Sequence, residues 1–583
     1  MKVVIVGGVA GGATAAARLR RLDESAEIIV IERTHYVSYA NCGLPYYIGK
    51  TITDRKKLTL QTPESFRSRF EIDVRTDQEV TRINRSEKEV EILNHITGET
   101  YTETYDKLIL SPGAHPVRPD LPGLNSPRIF TLRTVEDTFA IDEFIQETGA
   151  ASVTIVGGGF IGLEMAENLK ERGLDVTVIQ RSNHLMPVLD ADMASLLHNC
   201  FRSHGVNLIL NANVVGFEET TDDLGCDTIS THIENNDFVP TSDLVILAIG
   251  VVPESTLAKE AGLDLGMKDS IQVNSHLQTS DEDIYAIGDA IETTHVVTGQ
   301  PAHIALAGPA NKQGRIVADH ICGIDRAFTG SLGSSVMKAF DMTVATTGLT
   351  SKAAETAGLN FDSVILSPAS HATYYPGAHT MTMKVLFERA NGRIIGAQII
   401  GCEGADKRID VLAVAIKAGM SAYGLTELDL AYAPPYSSAK DPVNMAGYVI
   451  ENILEGSVKQ VHWEEALRLA ESQDQAELTQ DIVTNQDVAI LDARTVAEYE
   501  RGHIEKAINI PLDSLRGSLD KLPEDKTILV YCASGLRSYL ACRILVQHGF
   551  DCANIAGGYS FYEAQYLARN ADSEGIGGCG LKA

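Results

Sequence analysis

The chain has 583 residues, enough for three or four domains, and its 44% hydrophobic and 22% charged residues suit a water-soluble protein. Its formal net charge of −29 argues against binding nucleic acid or anionic lipid, because an acidic surface repels phosphate. The nine cysteines show no CxxC pair and no Cys/His spacing suited to zinc, so no metal is expected. Free thiols and the lack of an apolar run of about 18 residues predict a cytoplasmic protein without membrane contact.

The first 32 residues have the pattern of a nucleotide-binding unit. VVIV (3–6) predicts a buried strand, ATAAARLRRL (13–22) a helix, and EIIVIE (27–32) a second strand. Glycines after the first strand let the backbone approach a pyrophosphate, and the terminal acid of the second strand binds ribose hydroxyls. Val9 stands where a middle glycine is expected, so the fingerprint is imperfect. The candidate ligands in this unit are Gly7, Gly8, Ala10, Gly11, Gly12, Glu32 and Arg33.

A second unit follows about 150 residues later. SVTIVGGGFIGLEMAENL (152–169) has full GxGxxG spacing between a predicted strand and a predicted helix. The next strand, VTVIQ (176–180), ends at an amide, and Arg181 follows it. An acid there favours NAD and an arginine can hold the 2′-phosphate of NADP, so we expect NADH and leave NADPH open. The candidate ligands here are Gly157, Gly159, Ile161, Gly162 and Gln180.

Three later segments complete a family resemblance. LILSPGA (108–114) and LVILAIGVVPE (244–254) predict strands that end in small-residue turns, and TSDEDIYAIGDA (279–290) a strand that ends in Gly-Asp. Over about residues 1–450 the chain resembles the flavoprotein pyridine nucleotide-disulfide oxidoreductases. The resemblance implies FAD on the first unit and NAD(P)H on the second, with Asp289 at the flavin ribityl chain. It adds as cofactor ligands Asn41, Gly113, Gly250 and Ala307.

Cys42, within SYANCGLPYY (38–47), is the candidate redox residue. Most members of the superfamily have two cysteines in a CxxxxC spacing, but here the residue five positions on is Tyr47. Cys42 can then cycle through a sulfenic acid, as in NADH oxidases and peroxidases, or through a mixed disulfide with a small thiol. Ala10 stands where the peroxidase type usually has a histidine, and the SxxNCG surrounding resembles the coenzyme A-disulfide reductases. This resemblance makes coenzyme A the small thiol.

Two tyrosine-bearing segments, SHATYYPGA (370–378) and YAPPYSSAKDPVN (432–444), resemble the C-terminal region of the same reductases. The resemblance implies a homodimer in which Tyr436 and Tyr375, or Tyr374 in its place, reach the cysteine of the partner subunit. Without it, the second segment would be read as a rigid packed loop. Candidate ligands for coenzyme A are Thr14, Arg18, Arg21, Ser38 and Gln61.

A second sulfur site is predicted near the C-terminus. AILDAR (489–494) and TILVY (527–531) predict strands, and Cys532 opens a loop before a predicted helix. Loop N–H groups, the helix dipole and Arg537 would stabilise a thiolate or a persulfide anion. Residues 476–568 resemble a rhodanese (sulfurtransferase) domain, whereas the related phosphatases have one more residue between the cysteine and the arginine.

These segments together predict an α/β protein with two Rossmann-like domains, an α+β dimerisation domain and an α/β rhodanese domain. The predicted boundaries are 1–118 with 245–325 for FAD, 119–244 for NAD(P)H, 326–450 for dimerisation, 451–475 for a linker, 476–568 for the rhodanese domain and 569–583 for a flexible tail.

The expected function is NAD(P)H-dependent reduction of coenzyme A persulfide, polysulfide or coenzyme A disulfide at Cys42, with sulfane sulfur supplied by Cys532. The sequence does not separate these three substrates. Two alternatives stay open: an NADH oxidase or peroxidase that uses a Cys42 sulfenic acid, and a redox sensor or persulfide-delivery protein. Cys579 in the tail is read as incidental, with sulfur relay as the alternative.

Overall fold

The computed structural model describes residues 1–221, 225–471 and 488–573, with the side chains of 471 and 571–573 left aside. The chain divides into two compact units, Met1–Met186 with His204–Gly333 and Pro187–Ser203 with Ser334–Ala583. Within the described residues, no helix is both long and apolar enough to cross a membrane.

The first nucleotide-binding domain is built on a parallel sheet of five strands. Its first strand, Lys2–Val6, lies in the middle, and Val3, Val4 and Ile5 are fully buried, as a β-branched run covered on both faces requires. In spatial order the strands are Ile284–Ala286, Lys107–Leu110, Lys2–Val6, Glu27–Ile31 and Asp73–Arg75. The helices of this domain are Ala10–Leu22, Leu44–Ile48, Pro63–Phe70, Thr256–Glu260 and Ala307–Ile321, with single 3₁₀ turns at Asn41–Gly43, Arg55–Lys57, Met267–Asp269 and Gly288–Ala290.

Short antiparallel strands complete this domain. A three-stranded sheet comprises Gln78–Asn84, Glu89–Asn94 and Thr100–Thr104, and two pairs join Ala114–Pro116 to Val251–Pro253 and Thr293–Thr294 to Pro301–Ala302.

The second nucleotide-binding domain repeats the plan. Its parallel strands, in spatial order, are Asn207–Ile209, Asp175–Ile179, Ser152–Val156, Leu244–Leu247 and Ile129–Phe130. The helices Val135–Thr148 and Phe160–Glu171 accompany them, with an antiparallel sheet of Val214–Thr221, Asp227–Ile233 and Thr241–Ser242. Both glycine loops therefore lie at the carboxyl end of a central parallel strand, where such sheets bind nucleotides.

The second unit begins with an antiparallel sheet. Its central strand, Ile394–Gly401, is buried at all eight positions, because helices such as Ala191–Ser203 and Ala405–Lys417 pack against it. In spatial order the strands are Ser335–Ala339, Met342–Gly348, Ile394–Gly401, Met381–Glu388 and Phe361–Leu366; the other helices are Ser351–Thr356, Ala422–Thr426 and Pro442–Leu454.

The C-terminal domain is a parallel α/β sheet. Its strands, in spatial order, are Lys459–Val461, Cys552–Ile555, Thr527–Tyr531, Val488–Asp492 and Ile508–Asn509. Its helices are Trp463–Glu471, Val496–Arg501, Leu512–Leu515, Leu536–Gln547 and Gly558–Ser573, with a 3₁₀ turn at Leu519–Lys521.

Part of the predicted linker, 451–475, has regular structure. It begins with the end of a helix, and it then supplies the edge strand Lys459–Val461 and the helix Trp463–Glu471 of the C-terminal domain. A strand of three residues is too short to show a periodicity in the sequence, so this strand was not predicted. The predicted tail includes the last turns of the helix Gly558–Ser573. Residues 574–583, with Cys579, lie outside the described part of the chain.

Candidate active sites

The first glycine loop is shaped so that only glycine fits at its two ends. A Cβ on Gly7, whose φ is +92°, would lie 2.1 Å from the Ser111 carbonyl oxygen, and one on Gly12 would lie 1.9 Å from that of Gly7. The buried Glu32 carboxylate accepts the Gly8 N–H at 2.9 Å and thereby ties the end of the second strand to the loop. The helix begins at Ala10, so its free N–H groups face this loop. This geometry fits a pyrophosphate with an acid beside the ribose.

The second glycine loop has the same geometry with a neutral side chain in place of the acid. A Cβ on Gly157, whose φ is +114°, would lie 2.2 Å from the Ala248 carbonyl oxygen, and one on Gly162 would lie 1.9 Å from that of Gly157. Gln180 accepts the Gly158 N–H at 3.0 Å through Oε1 and donates from Nε2 to Ser182 Oγ at 2.6 Å. This loop also fits a dinucleotide, without a carboxylate that would repel a 2′-phosphate.

Arg133 is a central residue that the sequence did not reveal. Its Nε donates to the Ala114 carbonyl at 2.9 Å, and its Nη2 lies 3.5 Å from Asp289 Oδ2. The Asn41 amide, oriented to satisfy its partners, accepts from Arg133 Nη1 at 2.7 Å and donates to the Arg133 carbonyl at 3.1 Å. A Cβ on Gly113, whose φ is +78°, would lie 2.6 Å from the same guanidinium. Arg133 thus brings three predicted cofactor residues together, and its surrounding RIFTLRTV carries no motif that could have indicated this.

The remaining cofactor candidates lie in turns or at helix starts. Asp289 sits in the turn Gly288–Ala290, whose first N–H donates to Gln313 Oε1 at 2.8 Å. Ala307 begins the helix Ala307–Ile321, and Gly250, with φ +119°, follows the strand Leu244–Leu247. Ile161 lies in the first turn of the helix Phe160–Glu171. Arg33 is exposed and pairs with Glu79 at 3.8 Å.

Cys42 lies in the turn Asn41–Gly43, and its side chain is exposed. The helix Leu44–Ile48 follows, and its last carbonyl accepts a hydrogen bond from Arg172 Nη1 at 2.9 Å. Protein around the sulfur removes part of its hydration, which raises the pKa of the Cys42 thiol; Glu164 and Asp289 act in the same direction, and Arg133 opposes them. The thiol therefore lies in a surrounding that disfavours its thiolate.

Glu164 is itself perturbed. It lies on the helix Phe160–Glu171, and burial, with a smaller contribution from Glu167, raises its pKa to about 7. Its charge therefore changes near neutral pH, and the field at Cys42 changes with it.

The coenzyme A candidates fall into two groups. Arg18 pairs with the fully buried Asp319, with both contacts at 2.7 Å, whereas Arg21, one turn further along the helix, is exposed. The charge of Arg18 is balanced within the fold, whereas Arg21 is open to solvent. Thr14 Oγ1 donates to Asn311 Oδ1 at 2.6 Å.

Ser38 and Gln61 form the second group of candidates. Ser38, with φ +48°, donates its N–H to the Gly8 carbonyl at 2.8 Å and accepts from the N–H of Leu60 at 3.0 Å. Gln61, the next residue, accepts at Oε1 from Ser65 Oγ at 2.7 Å. The backbone thus joins these two positions to the first glycine loop.

The two tyrosine segments meet in the second unit. The Tyr374 and Tyr432 hydroxyls lie 2.7 Å apart, and this hydrogen bond raises the pKa of Tyr374. Tyr375 packs its ring edge-on against His371, and Tyr436 is 72% exposed. The partner of Tyr374 is therefore Tyr432, a residue outside the predicted catalytic set.

Arg408 holds the same two segments together. Its guanidinium is almost fully buried, and Nη2 donates to the Ser370 carbonyl at 2.9 Å, to Ser437 Oγ at 3.1 Å and to Asp441 Oδ2 at 3.2 Å. The Ala372 N–H also donates to the Ser437 carbonyl at 3.0 Å. The tyrosines are thus presented from a rigid base.

Cys532 is fully buried at the start of the loop that the sequence predicted. Its Sγ accepts the Gly535 N–H at 3.1 Å and the Ser538 hydroxyl at 3.4 Å. Gly535, with φ +102°, occupies the N-cap of the helix Leu536–Gln547, and its N–H is directed at the sulfur. Tyr559 donates its N–H to the Cys532 carbonyl at 2.7 Å and fixes the other side of the residue. Ser538 is a further residue that the sequence did not single out.

Arg537 forms a two-pronged ion pair with Glu498. Its Nη1 and Nη2 lie 2.8 Å and 2.7 Å from the two carboxylate oxygens, and this pair holds the pKa of Glu498 well below its usual range. The pKa of Arg537 is raised, mainly by Glu498 and to a smaller extent by Cys532, so its charge interacts with both groups. The positive charge of Arg537 is therefore balanced by Glu498.

The comparisons with known proteins agree with one another on the family and the domains of the chain. Family models match the pyridine nucleotide-disulphide oxidoreductases over residues 1–314, their dimerisation domain over 335–442 and the rhodanese-like domain over 474–565. A coenzyme A disulfide reductase of Staphylococcus epidermidis is 40% identical over 454 residues, which cover 77% of this chain and 99% of that protein.

Two solved structures resemble the whole chain. Reduced CoADR-RHD of Bacillus anthracis has a TM-score of 0.92 and 46% identity, covering 97% of this chain and 98% of that one. An NAD-dependent persulfide reductase from A. fulgidus has a TM-score of 0.87 and 38% identity, covering 96% and 100%. The predicted resemblance and α/β fold class are confirmed. The chain belongs to the pyridine nucleotide-disulphide oxidoreductase family, as an FAD- and NADH-dependent oxidoreductase with a dimerisation domain and a rhodanese-like sulfurtransferase domain.

Proposed function

We propose that this protein reduces coenzyme A disulfide, coenzyme A persulfide or polysulfide with electrons from NADH, through a single cysteine, Cys42. One observation carries the proposal. Cys42 is exposed, the residue five positions on is the buried Tyr47, and none of the eight cysteines in the described residues is in a disulfide. A sulfur without an internal disulfide partner can form its disulfide with an external thiol, and the similarity to coenzyme A disulfide reductases makes coenzyme A that thiol.

Each turnover would pass through a mixed disulfide. Bound NADH and FAD supply an electron pair. Cys42–S–S–CoA, two electrons and one proton give the Cys42 thiolate and coenzyme A thiol. Attack of that thiolate on coenzyme A disulfide restores the mixed disulfide and releases a second thiolate of coenzyme A. Attack on the inner sulfur of a coenzyme A persulfide gives the same mixed disulfide and releases hydrosulfide.

We assign the steps of this reaction to different residues around Cys42. Arg133 favours the thiolate electrostatically, and Arg21 and Ser38 are proposed to hold the phosphates and the pantetheine arm. Protonation of the departing thiolate is assigned to the tyrosine segments of a second copy of the chain, in a homodimer. The Tyr374–Tyr432 hydroxyl pair is our first candidate because the two groups already share a hydrogen bond. Tyr436 and Tyr375 stay as predictions beside it.

The rhodanese domain would load sulfur. Cys532 accepts a sulfane sulfur as a persulfide, which its N–H and O–H donors stabilise, and passes it to the thiol of coenzyme A or towards Cys42. The coenzyme A persulfide formed in this way is a substrate of the reductase site.

Substitution of each cysteine tests whether Cys42 and Cys532 carry out separate reactions. We expect Cys42→Ser to reduce NADH-dependent turnover of coenzyme A disulfide by at least about 1,000-fold, since the nucleophile is lost, and to leave thiocyanate formation by Cys532 intact. Cys532→Ser should abolish thiocyanate formation and leave the NADH-dependent turnover of coenzyme A disulfide intact. Cys226→Ser, at an exposed cysteine, is the matched control.

Intact mass before and after dithiothreitol is the complementary measurement. A coenzyme A adduct on Cys42 that reduction removes supports the proposal, and Tyr432→Phe should then slow turnover more than Tyr436→Phe. The absence of an adduct, with NADH consumption that needs only oxygen or peroxide, would instead mean that Cys42 works as a sulfenic acid.

A further inference from the structure

In the Cys532 loop, the positive charge of Arg537 is paired with one carboxylate, that of Glu498. Glu498 receives both Nη groups of Arg537, and the carboxylate is itself fixed by the Thr495 N–H at 3.0 Å and hydroxyl at 2.7 Å. These contacts form a capping box at the start of the helix Val496–Arg501, so the carboxylate belongs to a rigid element. Arg537 therefore cannot turn freely to meet an incoming anion.

A second arginine of the domain is neutralised in the same way. Arg494 is buried, and its Nε and Nη2 donate to the Asp492 carboxylate at 3.0 Å and 2.6 Å. Its guanidinium carbon lies 4.0 Å from the centre of the Tyr559 ring, which covers its face. Both arginines thus face a carboxylate, and two neutral groups, the Gly535 N–H and the Ser538 hydroxyl, donate to Cys532 Sγ.

The surface next to these groups is apolar. Leu536 is 60% exposed and directly precedes Arg537, and Val496, 54% exposed, begins the helix that carries Glu498. Leu540, 42% exposed, lies one helical turn after Leu536. Aliphatic groups beside a neutralised cation suit a donor with a carbon chain and a low charge at its sulfur.

We propose that Glu498 determines which sulfur donors Cys532 accepts, favouring organic persulfides over the inorganic dianion thiosulfate. The reaction is Cys532–S⁻ + R–S–SH → Cys532–S–SH + R–S⁻, in which the thiolate attacks the terminal sulfur, the S–S bond of the donor breaks, and the proton stays on the transferred sulfur. Thiosulfate brings two negative charges, and Glu498 offsets the positive charge of Arg537 that would otherwise attract them. This inference rests on the proposed role of Cys532 as the sulfur acceptor.

Replacement of the carboxylate by an amide tests the proposal in the full chain. Sulfur transfer to cyanide is measured as thiocyanate, with thiosulfate and with cysteine persulfide as alternative donors, without NADH and in the Cys42→Ser background. For Glu498→Gln we expect the ratio of kcat/KM for thiosulfate to that for cysteine persulfide to rise about tenfold, the effect of removing one charge a few ångströms away. Glu500→Gln, an exposed residue of the same helix, is the matched control and should leave the ratio within about twofold.

A second readout does not depend on turnover. Alkylation of Cys532 by the anion iodoacetate and by neutral iodoacetamide is followed by peptide mapping, and the ratio of the two rates reports the electrostatic potential at the sulfur. This ratio should rise several-fold in Glu498→Gln. The proposal is overturned if Glu498→Gln leaves the donor ratio and the alkylation ratio unchanged while thiocyanate formation from both donors falls. Glu498 would then only support the loop. Because neither assay uses NADH, a failure of the proposed reductase function would be seen separately.

Discussion

The two cysteines to which we assign a function, Cys42 and Cys532, differ in what surrounds their sulfur atoms. The side chain of Cys42 is exposed, but partial loss of hydration raises the pKa of its thiol, with smaller contributions from Glu164 and Asp289, opposed by Arg133. Cys532 is fully buried and accepts hydrogen bonds from the Gly535 N–H and the Ser538 hydroxyl. The first site disfavours a thiolate, whereas the second directs two hydrogen-bond donors at its sulfur.

This difference matches two kinds of sulfur chemistry. A carrier must hold a persulfide anion without outside help, so its donors belong to the backbone and to a helix start. A reductase cysteine spends part of its cycle as a disulfide and becomes a thiolate when electrons arrive, so its local field can be left unfavourable. Three substitutions can break or sharpen this comparison, from the largest expected effect to the smallest.

The carrier site should be the more sensitive to a single methyl group. A Cβ on Gly558, whose φ is +68°, would lie 2.6 Å from the Ala533 carbonyl oxygen and 2.7 Å from that of Cys532. We expect Gly558→Ala to destabilise the domain by about 3 kcal/mol and to reduce thiocyanate formation at least about 100-fold, because the loop must move.

Gly549→Ala is the matched control for that change. Gly549 has φ +89°, but no atom lies within 4 Å of the point that a Cβ would occupy, so only the backbone strain of about 1–2 kcal/mol is expected. Thermal unfolding and thiocyanate formation measure both variants. Equal losses in the two variants would show that strain alone, and not displacement of the cysteine loop, limits the carrier.

At the reductase site, charge should matter more than shape. Arg133→Met removes the cation that lowers the pKa of Cys42, so we expect iodoacetamide to alkylate Cys42 about fivefold more slowly at neutral pH. Arg133→Lys keeps the charge and should stay closer to wild type. The rates are measured by peptide mapping of FAD-loaded protein, and similar losses in both variants would assign the effect to the hydrogen bonds with Asn41.

The smallest effect is expected from Glu164, and it should depend on pH. Its pKa of about 7 means that the side chain is largely neutral at pH 6 and charged at pH 8. Because the charged form raises the pKa of Cys42, Glu164→Gln should speed alkylation about twofold at pH 8 and leave it unchanged at pH 6.

The same residue gives a matching stability signature. Its pKa is raised in the fold from an ordinary value of 4.5, so ionisation costs stability as the pH rises from about 4.5 to 7. Glu164→Gln should therefore raise the Tm at pH 8 but not at pH 4, whereas Glu147→Gln, at an exposed position, should change neither. A pH-independent rise would mean that packing, not charge, is responsible.

Features that depend on near neighbours in sequence were predictable. The glycine loops are examples, since a turn, a helix start and a strand end all lie within about 30 residues. Val9 did not disturb the first loop, because its φ of −97° is open to residues with side chains. Cys42 and Cys532 were found by their setting between a strand or turn and a helix.

Features that depend on distant pairs were not predictable. Arg133 and Asp289 are separated by 156 positions, and Tyr374 and Tyr432 by 58, so no local pattern links them. Arg18, predicted as a phosphate ligand, also pairs with the buried Asp319, a contact that the helix face in the sequence does not show. Such pairs arise only when the fold brings separate elements together.

The helix that the sequence placed in a linker carries an optical probe. Trp463 is the single tryptophan among the 583 residues, and its Nε1 donates to the Gly558 carbonyl at 2.9 Å. Its ring lies 5.6 Å from that of Tyr531, the residue directly before Cys532. Gly558 in turn packs against the Cys532 carbonyl. The intrinsic fluorescence of one indole should therefore report on the Cys532 loop, and stopped-flow emission is expected to follow the proposed persulfide loading without any label.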